Sequence, residues 1–260
     1  MASVADYERA ICVAPDDDEP RHRLAELLTR QGDPRGRFIE LQLEVAAVRA
    51  AADVSPARWG ERWLAAEELR RRHGAGWCPA LPLDARAPVF ARGFVEQVTV
   101  ASRAVATAEA LFAVAPIRRL HICDAGGDPG ALFTCAALER LVALDFTGDR
   151  LGDPGVIALA TCPHLTRLRW LDLASNDVGA IGVEAILASS FLTELRYCRL
   201  AWNRVASPEE VAGMDGGVVS TEPTALTLDA EARFGPRPWL RAPSRHRYAY
   251  PPDPDDVLGA

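Results

Sequence analysis

Three titratable residues, His121, Asp145 and Asp172, recur at similar intervals along the chain and could form a polar site. A histidine beside carboxylates can accept and donate protons, which is the chemistry of general acid–base catalysis. A catalytic site also needs a nucleophile, a phosphate-binding loop or closely spaced metal ligands, and the sequence contains no G-x-x-x-x-G-K-S/T, G-x-S-x-G or H-E-x-x-H motif. We therefore expect no catalytic residues, no bound metal and no cofactor, and we interpret the protein as a non-enzyme.

The charged residues and the cysteines restrict the class of partner and the compartment. Acidic residues outnumber lysine and arginine by 36 to 29, a formal charge of −7, whereas nucleic-acid-binding proteins favour a basic face. No apolar run approaches the ~20 residues that a membrane-spanning helix needs. The six cysteines are scattered without a C-x-x-C pair, which favours free thiols in a reducing compartment. We expect a cytoplasmic protein that binds neither nucleic acid nor a membrane.

The elements that would position any site come from an internal repeat. The nonapeptide LRWLDLASN begins at Leu168, and two similar stretches, LVALDFTGD from Leu141 and LRYCRLAWN from Leu195, lie at equal distances before and after it. More divergent copies and a degenerate remnant follow the same template: IRRLHICDA from Ile117, VEQVTVASR from Val95, and ALTLD at 225–229. Such a series indicates a chain assembled from stacked units.

Each copy has the pattern of a short strand followed by a tight turn. In the motif x-L-x-L-x, alternate leucines face one side of a strand. The asparagine that ends a copy can bond backbone groups of the turn, as in Asx-turns. The intervening segments 152–165 and 179–192 carry apolar residues at helical spacing. The sequence therefore predicts strand, turn and helix in each unit, with an apolar face that only a neighbouring unit can cover.

This template resembles the leucine-rich repeat family, in the variety with an outer helix in each unit that is found in ribonuclease-inhibitor-like proteins. The resemblance is strongest over residues 141–203. The earlier run PDDDEPRHRLAELLTRQGDPRGRFIELQLEV resembles the repeat-companion domain that precedes leucine-rich repeats in some bacterial proteins. Together they imply an α/β fold: a short leucine-rich-repeat solenoid with parallel strands inside and helices outside, preceded by a small helical module. Neither resemblance supplies a reaction.

We divide the chain into four segments on this basis. They are a helical repeat-companion module at 1–52, a helix and linker or N-terminal cap at 53–90, the leucine-rich-repeat array at 91–203, and a C-terminal loop, degenerate repeat or cap and mobile tail at 204–260. In the second segment, residues 57–73 are predicted to form a helix with Trp59, Trp63 and Leu64 on an apolar side. That side is expected to pack against the first repeat, because the end of a repeat array needs a cover.

The residues between the leucines point away from the core, toward the concave face of the array. Trp170 and Tyr197 occupy equivalent positions, so we expect adjacent, exposed rings of the kind enriched in interface hot spots. The alternative is that these rings cover the edge of the core, or pack on the C-terminal segment with Trp239 and Tyr248. The candidate partner-binding residues are Arg119, His121, Asp145, Trp170, Asp172, Tyr197, Arg199 and Trp202.

A mixed-charge face with aromatic anchors favours a non-enzymatic protein–protein interaction role. The concave face would bind another protein, and the chain would act as an adaptor, a recognition subunit or a regulator within a larger complex. The alternative function is an inhibitor or immunity protein that blocks the active site of a partner enzyme, since the same surface would serve both roles.

Overall fold

The computed structural model describes residues 2–49, 56–82, 85–102, 108–124, 133–204, 225–237 and 239. In these ranges the chain forms a mixed α/β fold with eight α-helices and one six-stranded sheet, in which the strands follow the order of the chain and the sheet is not closed. The sheet is mostly parallel, so the predicted α/β class with parallel strands is confirmed. None of the described helices combines the length and the apolar character that crossing a membrane requires.

The described residues up to Val100, together with 108–120, form the first of two compact units. Its helices are α1 (Val4–Val13), α2 (Glu19–Arg30), α3 (Pro34–Arg49), α4 (Pro56–Trp77) and α5 (Ala108–Val114). Helix α1 begins at a capping box, in which the Asp6 N–H donates to the Ser3 hydroxyl and the Asp6 carboxylate accepts from the Ser3 N–H. The predicted boundary at residue 90 lies within this unit, and the one at residue 52 falls outside the described residues.

The first unit has two groups of buried apolar side chains. One joins α1, α2 and α3 through Ile11, Leu24, Leu28 and Ile39. In the other, Phe38 stacks on Trp77 of α4 with ring centroids 4.9 Å apart, and Ala66 is buried beside them. Helix α4 packs through the side that carries Ala66 and Trp77, whereas Trp63 is 45% exposed and Leu64 is also exposed. The helix predicted at 57–73 is thus confirmed, whereas the expectation that Trp63 and Leu64 pack against a repeat is wrong.

A hairpin completes the first unit. Strand β1 (Arg86–Ala91) pairs antiparallel with β2 (Phe94–Ala101), and the turn has positive φ angles at Arg92 (48°) and Gly93 (86°). Gly93 is required there for a second reason, because a Cβ at this position would overlap Ile39 of α3. The valines of the VEQVTV segment in β2 are buried, as the template predicts, whereas β1 lies in a region interpreted as linker.

The second unit contains the three most similar sequence copies, which begin at Leu141, Leu168 and Leu195. Its elements are the end of β3 (Arg119–Cys123), a short 3-10 helix (Ala136–Arg140), β4 (Ala143–Asp145), α6 (Gly152–Ala160), β5 (Trp170–Asp172), α7 (Ala180–Ala188), β6 (Tyr197–Arg199) and α8 (Ala225–Phe234). Strands β4, β5 and β6 are parallel, and their registers align Leu144 with Leu171 and Leu171 with Cys198, which are equivalent positions of successive copies. Leu144, Leu171 and Leu173 are fully buried, which confirms the core positions of these two copies.

The asparagines connect one repeat to the preceding one. The fully buried Asn176 amide donates from Nδ2 to the carbonyl oxygens of Phe146 (2.7 Å) and Ala174 (3.0 Å), and its Oδ1 accepts from the Leu151 N–H (3.1 Å). Asn203 repeats the pattern one unit later, since its Nδ2 donates to the Leu173 carbonyl (2.8 Å) and its Oδ1 accepts from two N–H groups of the preceding turn. The role predicted for the asparagine in its turn is confirmed, and it extends to the neighbouring unit.

The outer helices are connected by a carboxylate. Asp153, in the first turn of α6, accepts from the N–H groups of Gly179 (2.6 Å) and Gly182 (3.0 Å) at the start of α7. These donors have no partner within their own helix, and the carboxylate also complements the helix dipole. A Cβ on Gly182 would lie 2.7 Å from Asp153 Oδ1, so glycine is needed for this approach.

The degenerate strand proposed at ALTLD is wrong, because residues Ala225–Phe234 form helix α8. Two alternating leucines are too short a pattern to establish a strand, and the following DAEAR segment is rich in helix-forming residues. Helix α8 and the residues after it contact α7, where Arg233 pairs with Glu184 (2.8 Å) and Arg237 donates to the Leu187 carbonyl (2.8 Å). The loop predicted at 204–222 lies outside the described residues after Arg204, and so do the last ten residues, which were predicted to form a mobile tail.

Candidate interaction surface

The paired strands β5 and β6 place the two central aromatic residues side by side. Their register aligns Trp170 with Tyr197, and the rings stack with centroids 5.6 Å apart and planes 14° from parallel. The predicted adjacency is therefore confirmed. The predicted exposure of Trp170 is wrong, because this side chain is only 3% exposed while Tyr197 is half-buried. Trp170 lies in a central strand, with Tyr197 stacked on it from one side and Ala143 in register on the other.

Asp145 and Asp172, the two aspartates of the possible polar site, bond the backbone at the ends of their strands. Asp145 Oδ1 accepts from the Thr147 N–H (2.8 Å), and Asp172 Oδ1 accepts from the Ala174 N–H (2.9 Å). The second oxygen of Asp172 pairs with Arg199 at 3.1 Å. Asp172 is therefore buried, and the expectation that it contributes an exposed charge is wrong. Asp145 remains partly exposed.

Burial sets the protonation behaviour of this cluster. Loss of solvation raises the pKa of Asp172 above its ordinary value, and the neighbouring Asp145 adds to this, although the Ala174 N–H and Arg199 oppose it. Burial, with a contribution from Asp172, also raises the pKa of Tyr197 to about 12. The Tyr197 hydroxyl therefore carries its proton at neutral pH and can donate a hydrogen bond.

The remaining predicted residues differ in accessibility. Arg119 is buried, so its expected place on a binding face is wrong, whereas His121, two residues later in β3, is partly exposed. In the described ranges, no group of three or more histidine, cysteine or carboxylate side chains could hold a metal ion. The predicted residues that remain accessible define what we call the candidate surface: His121, Asp145, Tyr197, Arg199 and Trp202.

Trp202 is the most accessible member of this surface, with 65% of its area exposed. Its backbone is left-handed, with φ of +64°. The equivalent positions in the two preceding units are Ser175 and Gly148, whose φ angles are +57° and +80°. The turn therefore demands a left-handed residue, which glycine adopts without cost and a bulky aromatic residue rarely adopts.

Sequence reasoning missed a buried ion cluster in the first unit. Glu96 of β2 pairs with Arg21 of α2 and with Arg92 of the hairpin turn, each at 2.8 Å, and Arg92 also pairs with Asp18 at 2.9 Å. Arg21 and Glu96 are fully buried. The one sequence feature that indicates this cluster is Glu96 itself, a carboxylate beside the buried valines of its strand. The cluster holds the hairpin against the helices, so we assign it a structural role.

Comparison of the chain with families of known proteins, with characterised proteins and with solved structures gave no match. No relative therefore supplies a function for the candidate surface, and its chemistry must be read from its own residues.

Proposed function

We propose that this protein is a non-enzymatic interaction protein, a short leucine-rich-repeat solenoid whose strand face binds another protein. The solenoid assignment is supported by parallel strands in register, helices between them and asparagines that bond the preceding unit. Each unit leaves an apolar face for its neighbour, which is the organising feature of repeat proteins. The protein would serve as an adaptor, a recognition subunit or a regulator.

The conformation and exposure of Trp202 carry this proposal. A left-handed backbone at a non-glycine residue costs on the order of 1–2 kcal/mol, and an exposed indole gains little from burial. Folding alone therefore favours glycine at this position, as at the equivalent Gly148. An indole that is costly for the free protein becomes favourable when a partner covers it, and tryptophan is among the residues most enriched in binding hot spots.

The polar neighbours suit a protein partner. Tyr197 offers a ring and a protonated hydroxyl, and the partly exposed Arg199 and Asp145 carry opposite charges. Aromatic residues with a polar end and a mixed-charge surround are typical of protein interfaces, where charge complementarity selects among partners. The scattered cysteines of the sequence suit a reducing compartment, so we place the protein in the cytoplasm as part of this proposal.

The proposal can be tested by capture from the native cell followed by affinity measurement with the purified partner. We expect Trp202→Gly to weaken binding at least tenfold, since a hot-spot residue contributes about 2 kcal/mol or more. Trp63→Ala is the control, because it removes another exposed indole, one carried by helix α4 of the first unit. Loss of binding in the control variant, or equal affinity of Trp202→Gly and wild type, would count against the proposal.

A further inference from the structure

The repeat array has an incompletely covered edge at β6. In β5 the core-facing Leu171 and Leu173 are fully buried, whereas the equivalent residues of the β6 copy, Cys198 and Leu200, are both partly exposed. All five residues from Tyr197 to Ala201 have this intermediate accessibility. Strand β6 therefore presents apolar side chains that the stacking of one more unit would cover.

The described C-terminal residues do not add such a unit. Helix α8 and its following residues contact the outer helix α7, through Arg233 and Arg237. Within the described ranges no strand follows β6 in the sheet. A strand edge with this exposure is a template for pairing with another extended chain.

The bonds between β5 and β6 show how another strand would pair. The N–H groups of Leu173 and Ser175 donate to the carbonyl oxygens of Arg199 (2.8 Å) and Ala201 (2.9 Å). One unit later, the N–H groups of Leu200 and Trp202 occupy the equivalent positions on the outer side of β6. An added parallel strand would accept from them in the same register.

We propose that the outer edge of β6 binds an extended segment of the partner protein, in the position that a further repeat would occupy. This inference rests on the proposed interaction function and specifies its partner. The segment has an aromatic residue, an aliphatic residue, an acidic residue and a second aliphatic residue in succession. It adds a parallel strand to the sheet, which is the β-augmentation mode of peptide recognition.

Each element of that pattern follows from one row of side chains. An aromatic ring would continue the stack of Trp170 on Tyr197. Two aliphatic residues would cover the partly exposed Cys198 and Leu200. A carboxylate would sit beside Arg199, which already pairs with Asp172 on its inner side and keeps a side-chain exposure of 24%.

The chain itself contains a segment with this pattern, which supplies a probe. In LRWLDLASN (168–176), Trp170, Leu171, Asp172 and Leu173 would align with Tyr197, Cys198, Arg199 and Leu200 when the β5–β6 register is continued by one strand. A synthetic, fluorescently labelled copy of this nonapeptide therefore tests the edge before the partner is identified.

Fluorescence anisotropy of this peptide is measured against the full-length protein. We expect saturable binding, and we expect a peptide with lysine in place of its aspartate to bind at least about tenfold more weakly, because it places like charges opposite each other. The variant Arg199→Glu should reverse this preference and select the lysine peptide. Since the peptide series alone tests the register against wild-type protein, a failure of Arg199→Glu to fold leaves the experiment decisive.

Absence of peptide binding, or equal affinity for the aspartate and lysine peptides, would overturn the inference. Sedimentation velocity gives a second test. Self-association that increases with protein concentration and is abolished by the peptide would also overturn the inference, because a second copy of this chain would then occupy the edge. If the peptide fails to bind while capture still depends on Trp202, the edge proposal falls and the interaction function stands. If the peptide binds but Trp202→Gly captures the partner normally, the edge proposal stands and the strand-face function falls.

Discussion

Replacement of the buried Asn176 by alanine tests how the repeats are held together. The amide makes three hydrogen bonds, to the carbonyls of Phe146 and Ala174 and from the Leu151 N–H. Both carbonyls keep a second partner, because Phe146 accepts from the Asp149 N–H and Ala174 from the Gly148 N–H. The Leu151 N–H would lose the Asn176 oxygen, and a buried donor without an acceptor costs about 1–3 kcal/mol.

Adding the two weakened carbonyl interactions, we expect Asn176→Ala to lower the free energy of unfolding by roughly 2–4 kcal/mol. Urea denaturation followed by tryptophan fluorescence and circular dichroism measures this loss. Asn176→Asp should also destabilise the protein at neutral pH, because a carboxylate accepts from Leu151 but cannot donate to the carbonyls.

The neighbouring Ser175→Gly is the control for local disturbance of the turn. Ser175 is exposed and left-handed, with φ of +57°, so glycine fits its backbone and the stability should change by less than about 1 kcal/mol. A loss below about 1 kcal/mol for Asn176→Ala would refute the reasoning, because it would be no larger than the change allowed for this control and smaller than the cost of one buried donor without an acceptor.

Three further outcomes are expected in the same unfolding assays. Glu96→Ala should cost about 3–5 kcal/mol because it removes the buried carboxylate from Arg21 and leaves this buried guanidinium with the more exposed carboxylate of Asp18, 3.4 Å away. Glu96→Gln should cost less, and equal losses would contradict the ion-pair account. Trp202→Gly should stabilise the protein by roughly 0.5–1 kcal/mol, because glycine adopts the left-handed backbone without strain. Trp202→Ala should not stabilise it, because alanine keeps a Cβ on this backbone. A larger gain for the alanine variant than for the glycine variant would show that Trp202 is not strained. Burial raises the pKa of Asp172 in the folded state, so the folded protein holds this proton more tightly than the unfolded chain does. Proton binding at Asp172 therefore stabilises the fold at acid pH, and this stabilisation is lost as pH rises above 3.8. Relative to wild type, Asp172→Asn should therefore gain stability from acid to neutral pH, and a pH-independent difference would show that the group is not perturbed.

Most positions of the repeat core follow from the sequence, because they depend on local geometry. Side chains alternate along any strand, so Leu171 and Leu173 had to share one face once the segment was extended. The even spacing of the copies then aligned each strand with the next, as the register of Leu144, Leu171 and Cys198 confirms. The sequence also indicated the turn role of Asn176, because a short amide side chain readily bonds nearby backbone groups.

The burial of the side chains between the leucines could not be predicted from the sequence pattern. Alternation establishes that Trp170 and Asp172 point away from the leucines, but their burial depends on Tyr197 and Arg199 of the adjoining strand. Neighbours in space, and not the strand itself, decide how much water reaches such side chains.

By itself, then, the sequence determined the strand–turn–helix units, their parallel alignment and the asparagine turns, since these are set by short-range periodicity and by covalent spacing. Only the tertiary structure decided that Trp170 is covered and Trp202 open, and that Arg21 meets Glu96 across 75 residues of chain. These outcomes depend on contacts between distant segments, whose energies exceed the local preferences that a sequence pattern reports.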